Sequence, residues 1–181
     1  MSSMETLKQR NSEFAATYSA AGLPMMPKLR TLLVACVDAR VDPAHVLKLD
    51  LGDAGMIRNS GGRVTRAVIE EIATLAFLAG QMTQADPDIN VVLMQHTQCG
   101  AERFADPAFQ EGLKARTGID VSDVAIHDHG TALQDDLQRL REAEELPGTL
   151  VISAMLYDTA TGKVSEVSAP QTLGEMRAAA A

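Results

Sequence analysis

Apolar positions in this chain fall into short continuous runs separated by longer amphipathic stretches. Thr31 to Cys36 (TLLVAC) and Asn90 to Gln95 (NVVLMQ) are uninterrupted aliphatic segments of the length expected for buried strands. Thr149 to Leu156 reads the same way, Val121 to Ile126 also predicts a strand, and Ala54 to Arg58 predicts a shorter one that Ser60-Gly61-Gly62 breaks. Between these runs the period changes. Thr65 to Gln81 places Val68, Ile72, Leu75 and Ala79 on one face of a helix. Met4 to Ala21 predicts a weakly amphipathic helix ended by Gly22 and Pro24. Asp106-Pro107 supplies an N-cap and a first-turn proline for a helix that Gly118 closes. Thr131 and Gln134 read as a capping box for a helix carrying Leu133, Leu137 and Leu140. Asp158 to Gly162 predicts a turn that returns Lys163 to Val167 as an antiparallel edge strand.

Strands separated by helices require crossover connections. Continuous apolar runs suit strands covered on both faces. The expected fold is therefore α/β, a mainly parallel central sheet flanked by helices with a C-terminal antiparallel edge strand. It forms one domain over residues 1–181, with 1–28 as an N-terminal helical arm and an Ala-rich tail from Ala178 that frays. Apolar residues make up 46% of the chain and aromatics 3%, so the core is aliphatic. The net charge of -8 argues against a phosphate-backbone binder, and no partner nucleic acid is expected. The apolar runs are too short to span a bilayer, and Met1 to Arg10 is too polar for a secretion signal, so a cytoplasmic protein is expected.

The two cysteines, Cys36 and Cys99, are too few for a disulfide scaffold. Cys36 ends the first buried run and His96 follows the run NVVLMQ directly. In open parallel sheets ligands collect at the carboxyl ends of strands. Cys99, three residues after His96, is close enough to aim at the same point. Two thiolates and an imidazole suit zinc and leave a fourth coordination position open. Spacing alone leaves two other readings in play: small buried apolar side chains, or a redox pair. Asp38 and Arg40 stand just past the strand, at a spacing that permits a bidentate ion pair or, for Asp38, a place as fourth metal ligand.

Three stretches, CVDAR, GDAGMIRNSGG and HTQCG, resemble in order and spacing the signature stretches of the β-class carbonic anhydrases, C-x-D-[SA]-R, G-D-x-x-x-x-R-N-x-G and H-x-x-C-G. MLYDTATGKVSEV is similar to that family's closing hairpin, so the likeness runs from about Leu29 to Val167. The chain departs from many short members at Ala39, where they carry Ser, and at Gln98, where they carry Asp. The resemblance implies one zinc ion per chain on Cys36, His96 and Cys99. It also implies a catalytic Asp38–Arg40 dyad, in which Asp38 swings onto the metal in some members, and a substrate pocket lined by Gly100. The implied activity is zinc-dependent, reversible hydration of carbon dioxide to bicarbonate and a proton by hydroxide available at neutral pH. The implied assembly is a homodimer or a multiple of dimers. Short members include hydrolases of carbonyl sulfide and carbon disulfide with the same zinc ligands, which stand as the alternative, and a non-catalytic zinc protein is a further rival. His45, His127 and His129 are candidate proton shuttles but stay outside the expected site.

Overall fold

A computed structural model describes residues 2–180 of the chain; Met1 and Ala181, the two ends of the expected domain, lie outside the described residues. The elements are α1 (Ser3–Ala16), β1 (Thr31–Cys36), α2 (Pro43–Val46), β2 (Ala54–Asn59), α3 (Arg66–Thr83), β3 (Asn90–His96), α4 (Pro107–Thr117), α5 (His129–Glu142), β4 (Val151–Asp158), β5 (Lys163–Thr172) and α6 (Leu173–Ala178). The strands form one sheet in the order β2-β1-β3-β4-β5, with β4 and β5 antiparallel and every other pair parallel. This is the expected α/β architecture with its antiparallel edge.

The order explains where a site belongs. From β1 the chain steps to one side to make β2, then returns past β1 to place β3 on the other side. Consecutive connections therefore diverge at the β1–β3 boundary, which leaves a crevice at the carboxyl ends of these two strands. Ala35 is level with Met94 in the β1–β3 register, so Cys36 and His96 end neighbouring strands at that crevice.

The main core lies on one face of the sheet. Leu32, Val34, Val91, Leu93, Ile152 and Ala154, alternate positions on three strands, pack with Val68 and Ile72 of α3 and Leu133, Leu137 and Leu140 of α5. The opposite face is closed along β1, which is buried from Leu32 to Cys36, but not along β4, where burial alternates. Aliphatic continuity in β4 thus reflects residue type rather than two covered faces. No described helix is long and apolar enough to cross a membrane.

Several expected boundaries move, each for a local reason. The strand expected at Val121 to Ile126 does not form. Asp120 accepts hydrogen bonds from both the N–H and the hydroxyl of Ser122, and that side-chain turn leads into a short 3-10 turn at Ser122–Val124. The capping box expected at Thr131 is replaced by an Asp128 cap, which accepts from both the N–H and the hydroxyl of Thr131, and α5 starts three residues earlier. Helix α1 stops at Ala16 rather than Ala21, because Thr17 closes the last turn with its N–H and its hydroxyl on the Phe14 carbonyl. Strand β4 begins at Val151, two residues later than expected, since Pro147 to Leu150 form a turn. Strand β5 runs on to Thr172 through Pro170, which an edge strand tolerates. In the expected frayed tail, the N–H groups of Ala179 and Ala180 still bond to the carbonyls of Glu175 and Arg177.

Candidate metal centre

Cys36 leaves the end of β1 buried, and His96 is the last residue of β3 rather than the first beyond it. Cys99 reaches the same point because the chain reverses over Thr97 and Gln98, and Gln98 takes a left-handed backbone conformation at φ +57 to do so. A non-glycine residue persists there only when its surroundings hold it. Arg40 donates to the Gln98 carbonyl at 3.0 Å, and Thr159 donates to the Gln98 side chain at 3.2 Å. The hairpin between β4 and β5 thereby braces the ligand turn.

A sulfur from each cysteine and a ring nitrogen of His96 all lie within 4.8 Å of one another. His96 Nδ1 donates to the Thr97 carbonyl at 2.9 Å, which leaves the Nε2 lone pair directed at the two sulfurs. That nitrogen is buried and has no hydrogen-bond partner among the described residues. The sulfurs are 3.8 Å apart. A disulfide needs about 2 Å, whereas two Zn–S bonds of about 2.3 Å at a tetrahedral angle span about 3.8 Å. The donor set and its spacing therefore fit zinc. The bond from Cys99 carries the Cys36 thiol down against the upward push of burial, with His96 and the N–H groups of Asp38 and Gly61 assisting. Cys99 is pushed up by the same bond and by burial.

Asp38 and Arg40 form the expected bidentate pair. Arg40 Nε donates to Oδ1 at 3.0 Å, its terminal nitrogen to Oδ2 at 2.7 Å, and its backbone N–H to Oδ1 at 2.9 Å. These bonds hold the Asp38 carboxyl well below the usual carboxylate range. Oδ2 is 4.0 Å from His96 Nε2, so the carboxylate borders the donor cluster with both oxygens engaged by Arg40. Gly100 lines a cleft with Cys36, Asp38, Ser60, Gly61, Ala101 and Phe104, and a Cβ placed on it would meet nothing within 4 Å.

Three features have roles that only the structure shows. Arg58, expected as the end of a short strand, donates to the carbonyls of Cys36 and Asp38 at 2.9 and 2.8 Å and to Asp42 at 2.9 Å. It thereby pins the segment carrying the first cysteine and the aspartate. Gly62 sits at φ +64, and a Cβ there would come within 3.0 Å of the Ala35 carbonyl carbon and the Cys36 nitrogen, so the glycine lets the turn lie directly on β1. The third is a buried ion pair of Arg63 with Asp136 at 2.8 Å. Arg58 and Gly62 had a visible signal, the RNSGG stretch; the partner of Arg63 had none. Of the candidate shuttles, His45 and His127 are exposed, while His129 is largely buried.

The carbonic anhydrase family model matches residues 31–146, from β1 through α5. β-Carbonic anhydrase 1 of Mycobacterium tuberculosis is 32% identical over 161 residues, covering 87% of this chain and 93% of that protein. The crystal structure of a carbonic anhydrase from Streptococcus mutans superposes with a TM-score of 0.75 at 33% identity, covering 93% of this chain and 99% of that one. A carbon disulfide hydrolase shares the fold at 19% identity and a TM-score of 0.55, over 91% of this chain and 90% of its own. A family match over more than half the chain, and a relative this similar along nearly its whole length, establish that the chain belongs to the β-class carbonic anhydrase family.

Proposed function

We propose that the chain catalyses the reversible hydration of carbon dioxide to bicarbonate and a proton, with one zinc ion held by Cys36, His96 and Cys99. The observation that carries this reading is the placement of Asp38: it borders the three donors while Arg40 occupies both its oxygens. A structural zinc site normally takes four protein ligands, whereas a catalytic one takes three and leaves a position for solvent or substrate. Zinc bound there supplies Lewis acidity, enough to make hydroxide available near neutral pH.

The side chains do the rest. Asp38 stays ionised through the working pH range and so acts only as an acceptor. Accepting the hydrogen of the attacking O–H turns the oxygen lone pair toward the substrate carbon. Arg40 keeps the carboxylate in that role and off the metal, and Arg58 holds the loop beneath both. Ala101 and Phe104 give the cleft an apolar wall suited to a small uncharged substrate. Dimeric assembly is part of the same proposal; α1, which buries none of its own residues, is the segment that would pack across a partner.

The deciding experiment is a stopped-flow comparison of the zinc-loaded protein on carbon dioxide, carbonyl sulfide and carbon disulfide. Fastest turnover is expected on carbon dioxide. Faster turnover on either sulfur compound would assign the site to a hydrolase on the same scaffold. Asp38→Ala is expected to retain zinc and lose about a hundredfold in kcat, the usual scale for a misplaced reacting group. Unchanged kcat in that variant would remove Asp38 from the mechanism.

A further inference from the structure

Beside the three donors, five polar side chains join in one line. Glu102 Oε1 accepts the backbone N–H of Cys99 at 2.9 Å and stands 3.0 Å from His129 Nε2. His129 Nδ1 lies 2.9 Å from Gln95 Oε1. Gln95, fully buried and next to His96, donates from its amide nitrogen to Asp136 Oδ2 at 3.3 Å, and Asp136 accepts from Arg63 at 2.8 Å. The chemistry fixes the direction of these bonds. A carboxylate only accepts, so the Gln95 nitrogen faces Asp136 and its oxygen is left for His129. His129 therefore donates from both ring nitrogens, one to Gln95 and one to Glu102.

The line ends on the turn that most needs support. Gln98 is in the left-handed region, and Cys99 follows it. Arg40 holds the Gln98 carbonyl, while Glu102 holds the Cys99 N–H. Neither Glu102 nor His129 lines the cleft.

We propose that His129 is a positioning residue for the ligand Cys99, acting through Glu102, so that the start of α5 and the buried Gln95 together fix the angle at which that cysteine meets the metal. The proposal rests on the reading of Cys36, His96 and Cys99 as zinc ligands. It gives His129, one of the candidate shuttles, a role that requires no contact with substrate.

The test is zinc affinity, measured by competition with a chromophoric chelator, together with the visible spectrum of the cobalt(II)-substituted protein. His129→Ala and Glu102→Ala are each expected to weaken zinc binding about 10- to 100-fold, the usual effect of removing a partner that orients a ligand, and to alter the cobalt spectrum. Glu102→Gln keeps an oxygen that accepts both bonds and is expected to bind zinc like the wild type. The double alanine variant should be no weaker than the worse single one, because both act along one line. The idea is overturned by affinity within about twofold of wild type in a folded His129→Ala protein, or by additive losses in the double variant. Equal losses in Glu102→Gln and Glu102→Ala would also overturn it. Should His129→Ala fail to fold, Glu102→Ala carries the test, since that side chain is half exposed. A wild type that takes up no zinc would instead refute the ligand assignment itself, an outcome distinct from any of these.

Discussion

Cys36→Ser is expected to empty the metal centre. A serine hydroxyl stays protonated near neutral pH and offers zinc a hard, neutral oxygen in place of a thiolate. Removing a residue that only orients a ligand weakens metal binding about 10- to 100-fold, so removing a ligand itself should exceed about a hundredfold. Zinc measured after dialysis against a mild chelator should fall from roughly one ion per chain to below about a tenth, with carbon dioxide hydration falling in proportion. The fold should survive, because serine matches cysteine in size and the main core lies elsewhere on the sheet. A variant that keeps both full zinc and full turnover would show that Cys36 is not a ligand.

The second large effect is on stability. Arg63 and Asp136 are both fully buried, and their 2.8 Å bond joins the turn after β2 to the middle of α5. Arg63 also donates to the Ala125 carbonyl at 2.7 Å, while Asn59 exchanges hydrogen bonds with the Arg63 backbone at 2.8 and 2.9 Å. Breaking such a pair strands the other charge in a low-dielectric interior, which typically costs about 3–5 kcal/mol. Arg63→Met should therefore lower Tm by about 10 °C in a domain of this size. The loss should depend on pH in a defined direction. Burial already pushes the Asp136 carboxyl up, with Arg63 opposing it. Without Arg63 its folded-state value rises further above the unfolded value of about 4. The folded variant then binds the Asp136 proton more tightly than the unfolded chain does. It is least penalised below about pH 4 and loses stability as pH rises through the folded-state value. Thermal melts of wild type and variant across pH check this. A Tm difference that is negligible, or that widens toward acid, would contradict the assignment of the pair as a structural tie.

The parts of this protein that a reader of the sequence finds are those whose signal is local. The aliphatic runs of β1 and β3 appear where they were expected, as does the three-and-four periodicity of α3. The Asp106-Pro107 start and Gly118 stop of α4 are equally local, and Gly118 takes the left-handed cap conformation at φ +75. Signals that compete over a few residues are decided by whichever side chain captures the backbone. Val121 to Ile126 has strand composition, but Asp120 and Ser122 capture the backbone first. Asp128 lies three residues before Thr131 and takes the cap that Thr131 resembles. The box TLGE, from Thr172 to Glu175, caps α6 through an equally local signal.

Sequence alone determined the segments that become β1 and β3, the identity of the two thiols and the imidazole, and the two-residue step from Asp38 to Arg40 that allows a bidentate pair. Each of these depends on residue type and near spacing. Tertiary structure decided what those residues face. It brought Cys36 within 3.8 Å of Cys99, 63 residues away, and paired Arg63 with Asp136 across 73 residues. It set Arg58 under the Cys36 and Asp38 carbonyls and joined His129 to Cys99 through Glu102. Such contacts depend on the β2-β1-β3-β4-β5 strand order, which parallel crossovers fix only once the whole sheet has assembled. A single chain's local pattern carries the chemistry of each group but not the distance between groups, and that distance is what turns two cysteines and a histidine into a set of donors that one metal ion could share.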